Sequence, residues 1–251
     1  MPFEGVGVAL VTLFDERGGL DAVRTAALAA SLADEGMRAI VVAGSTGEAA
    51  TLDHDERVEL VSAVRAAVPA GVPVLAGTGA PSARQAARLT AAALEAGADG
   101  VLVLSPPGSV DLEGYYGDVV AAASDAPVLG YHFPAMSAPG IAVELLPRLE
   151  DIGLVGVKDS SGDPSRLVRT LERFDGALYV GSPWLLSAAG PLGATGAILA
   201  VANVEPALSI KAFGGDADAQ RALAATCEQA HGPAGVKRLL ADRGHSAVTR
   251  S

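Results

Sequence analysis

Short apolar runs alternate along this chain with longer, Ala-rich segments that carry Arg, Asp and Glu at helical spacing. The runs GVGVALVTLF (5–14), AIVVAG (39–44), PVLAGTG (73–79), GVLVLSP (100–106), PVLGYHF (127–133), LVGVKDS (154–160), ALYVGS (177–182) and GAILAV (196–201) predict strands. They are continuously apolar rather than alternating, as expected of parallel strands covered on both faces. Between them the pattern predicts helices near 21–35, 53–67, 81–96, 111–124, 143–150, 164–173, 184–190 and 205–213. Two starts are well marked. Asp53 has Glu56 three residues on, and Asp163 offers an N-cap with Pro164 at the first helical position. Eight strand–helix repeats within residues 1–210 predict an α/β fold, a (β/α)8 TIM barrel. A doubly wound open sheet is the rival. Residues 211–251 predict a short C-terminal helical extension, with one or two helices between Asp216 and Arg243. No linker or second domain is visible.

Composition narrows the partners. The net charge is −11 and no basic run exists, which argues against nucleic acid and anionic membranes. The single cysteine, Cys227, excludes an intrachain disulfide framework. No signal-peptide pattern opens the chain. Gly176 to Val204 carries no charge, yet Pro183, Gly190-Pro191, Gly193 and Gly196 punctuate it and argue against a membrane span. A cytoplasmic protein is the expectation.

Barrel enzymes place their chemistry where the strands end. The second run ends in Gly44-Ser45-Thr46-Gly47-Glu48 and the third in Gly77-Thr78-Gly79. The fifth ends in Tyr131-His132-Phe133-Pro134, the sixth in Lys158-Asp159-Ser160, and the eighth runs through Ile198 towards Asn203. Lys158 is one of only three lysines, with Lys211 and Lys237. An ammonium at the end of an apolar strand is costly to desolvate. A desolvated lysine is more readily a free amine, and a free amine attacks a ketone to form a Schiff base. A nearby phenol can relay protons, and a Ser-Thr-Gly turn can hold a carboxylate.

Taken singly, each piece has a plainer reading. Strand-end lysines often snorkel, a lone tyrosine is usually core, and Gly-Ser-Thr-Gly is usually a turn. Gly5-Val-Gly7 and Gly77-Thr-Gly79 lack the third glycine of a dinucleotide fingerprint. His54, His132, His231 and His245 show no metal spacing. His54 should lie at the start of an outer helix. His132 should point away from Tyr131 on an alternating strand and serve structure.

Together the residues resemble the dihydrodipicolinate synthase and N-acetylneuraminate lyase family, the pyruvate-dependent class I aldolases. Three segments carry the resemblance: Ala39-Ile-Val-Val-Ala-Gly-Ser-Thr-Gly-Glu-Ala49 followed by Glu56, Tyr131-His-Phe-Pro134 followed by Ser137, and Gly156-Val-Lys-Asp-Ser-Ser-Gly-Asp163. Gly193-Ala-Thr-Gly-Ala-Ile198 and Ala202-Asn203 resemble the family's last strand. The resemblance implies a Schiff base between pyruvate and Lys158, a proton relay at Tyr131, and carboxylate binding by Ser45 and Thr46. Ser160 and Ile198 are the further substrate-binding candidates. No metal or organic cofactor is expected, because the iminium is the electron sink.

The chain also departs from the family. Diaminopimelate-pathway synthases are expected to carry an arginine after Tyr-x-x-Pro, whereas here the segment is Ala135-Met-Ser-Ala-Pro-Gly140. Their tyrosine pair after strand four corresponds to Ser105-Pro-Pro-Gly108, with Tyr115 and Tyr116 further on. The acidic pair of the sialic acid lyases corresponds to Pro183-Trp184. The resemblance implies a homo-oligomer, dimer or tetramer, but the segment after the barrel is shorter than the family's usual extension. The expected activity is an aldolase or lyase acting on pyruvate, or another small 2-oxo acid, and a small aldehyde. Suitable substrates are a 2-keto-3-deoxy sugar acid or 4-hydroxy-2-oxoglutarate. The alternatives are 4-hydroxy-tetrahydrodipicolinate synthesis, dehydration or decarboxylation through the same imine, and a non-catalytic homologue that binds a 2-oxo acid.

Overall fold

The structure is a computed structural model and describes residues 2–108, 111–242, 244–245 and 248–250. Eight parallel strands form a closed barrel in chain order: β1 (Gly5–Ala9), β2 (Ile40–Val42), β3 (Val74–Gly77), β4 (Gly100–Leu104), β5 (Val128–His132), β6 (Leu154–Asp159), β7 (Ala177–Val180) and β8 (Gly196–Leu199). Pairing of Gly5–Val8 with Gly196–Leu199 closes it. The open-sheet rival is thereby excluded.

The helices between strands are α1 (Ala22–Asp34), α2 (His54–Ala67), α3 (Ala83–Glu95), α4 (Leu112–Ala123), α5 (Leu146–Asp151), α6 (Pro164–Arg173) and α7 (Leu186–Ala189). After β8 come α8 (Pro206–Phe213), α9 (Ala217–Gln229) and α10 (Gly232–Ala241). The capping box at Asp53 and Glu56 is formed, and Asp163 caps α6 ahead of Pro164. The helices expected at 143–150 and 184–190 each begin with a separate 3-10 turn, at Val143–Leu145 and Pro183–Leu185.

The continuous apolar runs divide between two cores. Val41, Leu102, Leu129, Tyr131, Tyr179 and Ile198 fill the barrel, and Phe3 packs with them. Their neighbours, such as Val42, Val103 and Val157, face the helix layer. Phe3 stacks on Tyr179, whose hydroxyl donates to the Phe3 carbonyl at 2.7 Å.

All eight strands are shorter than their apolar runs. The first run was expected to remain extended to Phe14, but β1 ends at Ala9. Beyond it, side chains take over from the ladder. Val11 N–H donates to Asn203 Oδ1 at 3.1 Å, and Leu13 N–H to Thr25 Oγ1 at 2.9 Å. Asn203 also donates to the Ala9 carbonyl at 2.7 Å. Burial requires these backbone groups to be paired, but not by a strand. Likewise β2 ends at Val42 because Ala43 turns left-handed, at φ 50°.

Candidate active site

Lys158 and Asp159 are the last residues of β6 and face opposite sides of the sheet. Lys158 points inward, 5% exposed, with Nζ 4.3 Å from the centroid of the Tyr131 ring. The two residues are direct partners across β5 and β6, and Tyr179 is the next in register on β7. Ser160 Oγ lies 3.5 Å from the Tyr131 hydroxyl. The amine, the phenol and one hydroxyl therefore meet at the C-terminal end of the barrel.

Asp159 turns outward to the helix layer. Its Oδ2 accepts from Arg166 Nε at 2.7 Å and its Oδ1 from Ser161 N–H at 2.8 Å. His132 stands opposite Asp159 in register, and its Nδ1 accepts from Ile141 N–H at 2.9 Å. Burial, reinforced by the Arg166 charge and opposed by Asp159, holds the His132 pKa down at about 4. A neutral ring is what an accepting Nδ1 requires, so His132 belongs to the wall, as its alternation with Tyr131 implied.

Ser45 and Thr46 sit half-buried in the turn after β2. Their hydroxyls have no hydrogen-bond partner among the described residues. The turn is held by Glu48 N–H to the Ser45 carbonyl and Ala49 N–H to the Gly44 carbonyl, both 3.2 Å. Thr12 Oγ1 donates to the Gly47 carbonyl at 2.7 Å. Non-glycine residues in left-handed conformation flank it, Ala43 at φ 50° and Glu48 at φ 54°. Such backbone costs about 1–3 kcal/mol each and persists only where its surroundings impose it. Ile198 is fully buried in the barrel interior.

Two residues that shape the surroundings of Lys158 and of the turn after β2 were not legible in the sequence. Gly181, directly after β7, is one. A methyl there would stand 1.9 Å from Ser160 Oγ and 2.9 Å from Lys158 Cε. Its only sequence signal is a glycine where an apolar run stops. Arg57 is another. From α2 it donates to the carbonyls of Ala49, Leu52 and Gly77, joining the turn after β2 to the end of β3.

Tyr115 and Tyr116 do not replace the tyrosine pair. The Tyr116 hydroxyl is buried against the Val103 carbonyl at 3.0 Å, and burial raises its pKa. The Tyr115 hydroxyl donates to the Ala80 carbonyl at 2.9 Å. Both phenols are thus occupied by backbone away from Lys158. The loop Ser105–Gly108 is instead tied to the next one, since Gly108 N–H donates to the Ala138 carbonyl at 2.8 Å and Ser137 Oγ to the Ser105 carbonyl. Arg148 lies on α5 and pairs with Glu113 at the surface. Among the described residues no cluster of three or more His, Cys, Asp or Glu could hold a metal, and no helix is long and apolar enough to cross a membrane.

The model of the dihydrodipicolinate synthetase family matches residues 2–234. The chain belongs to this family. Its members are lyases and synthases of the class I aldolase type, and the chain is an enzyme of that type. An uncharacterized DapA-like lyase of Halobacterium salinarum is 37% identical over 97% of this chain and 85% of its own length. A 4-hydroxy-tetrahydrodipicolinate synthase of Pseudomonas aeruginosa is 37% identical over 87% of this chain and 78% of its own. Among solved structures, the dihydrodipicolinate synthase of Acinetobacter baumannii, complexed with pyruvate, superposes with a TM-score of 0.89 at 28% identity, over 100% of this chain and 92% of that one.

Proposed function

We propose that the protein is a Schiff-base aldolase that joins pyruvate to a neutral hydroxyaldehyde, or cleaves the corresponding 2-keto-3-deoxy sugar acid. The observation that carries the reading is Lys158 Nζ, buried at the barrel mouth 4.3 Å from the centre of the Tyr131 ring. Lys158 attacks the ketone carbon of pyruvate, and loss of water leaves an iminium. The iminium withdraws electrons from the neighbouring carbon, a proton leaves it, and the resulting enamine adds to the aldehyde. Tyr131 moves protons to and from the carbinolamine and the aldol oxygen, with Ser160 as its neighbour. The hydroxyls of Ser45 and Thr46 hold the pyruvate carboxylate, and Ile198 packs beneath the bound 2-oxo acid.

The aldehyde half favours a neutral partner. No arginine lies between Arg88 and Arg148, so the loops after β4 and β5 offer no guanidinium to a second carboxylate. Exposed Met136 and Trp184 stand instead on the loops after β5 and β7. Losing a charge-assisted contact costs about 1.5–3 kcal/mol, or about 10–100-fold in rate or affinity. The relatives named as 4-hydroxy-tetrahydrodipicolinate synthases keep aspartate semialdehyde as the second reading.

Borohydride reduction in the presence of pyruvate tests the chemistry. Covalent mass should appear on the peptide containing Lys158 and on neither Lys211 nor Lys237. Absence of an adduct, or its spread over all three lysines, removes the mechanism. Comparing kcat/KM for aspartate semialdehyde and a neutral hydroxyaldehyde at matched concentrations tests the substrate. Preference for the semialdehyde would return the chain to lysine biosynthesis.

A further inference from the structure

Residues 248–250 lie at the barrel mouth. Lys237 of α10 is 2% exposed, although it is a lysine on a terminal helix. Its Nζ donates to Glu48 Oε1 at 2.5 Å and to the Val248 carbonyl at 2.7 Å. Arg250 N–H donates to Glu48 Oε2 at 2.8 Å, so two C-terminal groups grip both oxygens of one carboxylate. The Arg250 guanidinium forks onto Glu56, at 2.8 and 2.5 Å, and donates to the Thr51 carbonyl at 3.1 Å. Both cations lie over the Phe14 ring, Lys237 Nζ at 4.3 Å and Arg250 Cζ at 4.1 Å from its centroid. Every anchor of this cluster lies on the β1–α1 or β2–α2 connection or on α2, at the end of the barrel where Lys158 sits.

Glu48 is the hinge of the matter. It directly follows Ser45-Thr46-Gly47 and holds a left-handed backbone. A buried carboxylate needs a paired partner, and breaking such a pair leaves an uncompensated charge. The ion pairs from the C-terminus therefore pin the residue that closes the turn. Each cation already faces its own carboxylate, Lys237 on Glu48 and Arg250 on Glu56, so the cluster adds little net charge to the mouth. What it supplies is placement.

We propose that α10 and residues 248–250 form a strap that positions the Gly44–Glu48 turn, with Lys237 and Arg250 as positioning residues for binding the substrate carboxylate. The carboxylate role of the turn rests on the proposed aldolase reading. The strap itself does not. Lys237 is then a buried fastener, which also explains why pyruvate should leave it unlabelled.

The test uses the full chain and three substitutions at two positions. Arg250→Ala removes a fork from the tail and should leave the barrel folded. Lys237→Met empties the buried pair, and Lys237→Arg keeps a cation against Glu48. Trapping at Lys158 is followed against pyruvate concentration, and amide exchange is followed in peptides covering 44–52. In Arg250→Ala the half-saturating pyruvate should rise by about 10-fold, as for loss of a charge-assisted contact, while the maximal trapping rate stays near that of the parent. Exchange in 44–52 should speed up. Lys237→Met should do the same more severely, and Lys237→Arg should restore most of the loss. An unchanged half-saturation constant, or a fall only in the maximal rate, overturns the positioning role. If the unaltered protein traps no pyruvate at all, the aldolase reading fails. The exchange measurement then decides the strap alone, and unchanged protection of 44–52 in Arg250→Ala overturns it.

Discussion

Gly181→Ala isolates the space that the lysine needs. The residue lies just after β7, and its backbone is one that alanine can adopt, so the perturbation is the methyl group alone. That methyl would stand 1.9 Å from Ser160 Oγ and 2.9 Å from Lys158 Cε. Carbon contacts below about 3 Å essentially do not occur, so Ser160 Oγ must move by about 1 Å and the lysine stem must lean away. Ser160 can rotate, but its hydroxyl then leaves the Tyr131 phenol, already 3.5 Å away. A displacement of about 1 Å at reacting groups can cost about 100-fold in rate. The stability cost should lie near the low end of the roughly 1–3 kcal/mol typical of overpacking, because Gly181 is only half-buried. Kinetics should therefore fail well before the fold does. The assay is the rate of borohydride-trapped adduct at Lys158 with pyruvate, beside a denaturant midpoint. Gly71→Ala is the control, since a methyl there meets nothing within 4 Å. A Gly181→Ala protein that traps pyruvate at the parent rate would refute the reasoning. So would a Gly71→Ala protein that slows equally.

The other predictions use the same site and its wall. Tyr131→Phe keeps the ring beside Lys158 and loses the hydroxyl, so steady-state turnover should fall by about 10²–10⁴-fold with little change in pyruvate affinity; unchanged turnover would assign the proton to another group. His132 has its folded pKa held down at about 4, below its unfolded value of about 6.5. The unfolded chain therefore binds the proton first as pH falls, and up to about 3 kcal/mol of stability should be lost between roughly pH 6.5 and 4. Urea midpoints across that range measure the slope, and His132→Asn should flatten it; an unchanged slope would assign the titration to another group. Gly117 lies inside α4 and a methyl there meets no atom within 4 Å. Gly117→Ala should stabilise the chain by about 0.5–1 kcal/mol, and a lowered melting temperature would count against that packing.

Much of this protein follows from local rules. Strand-sized apolar runs alternating with capped helices lead to a barrel because each parallel strand needs both faces covered. The placement of Lys158 and Tyr131 at the barrel mouth was legible because a polar residue ending such a run on a barrel strand faces the mouth or the wall, and alternation separates Tyr131 from His132. Other features depend on distance rather than pattern. The runs overshoot the strands because apolarity reports burial, and the donors of Val11 and Leu13 are buried yet paired with the side chains of Asn203 and Thr25. Gly181 matters only because β7 brings it against Lys158 and Ser160, side chains from a different strand and its loop. Lys237 and Arg250 read as ordinary charges on an acidic chain's terminal segment. Only closure of the barrel and the return path of α10 set them on Glu48 and Glu56, almost two hundred residues earlier in the sequence. Local sequence carries propensity and periodicity over a few turns. Pairings of that range are decided by the tertiary fold, where burial makes an unpaired charge too costly to leave.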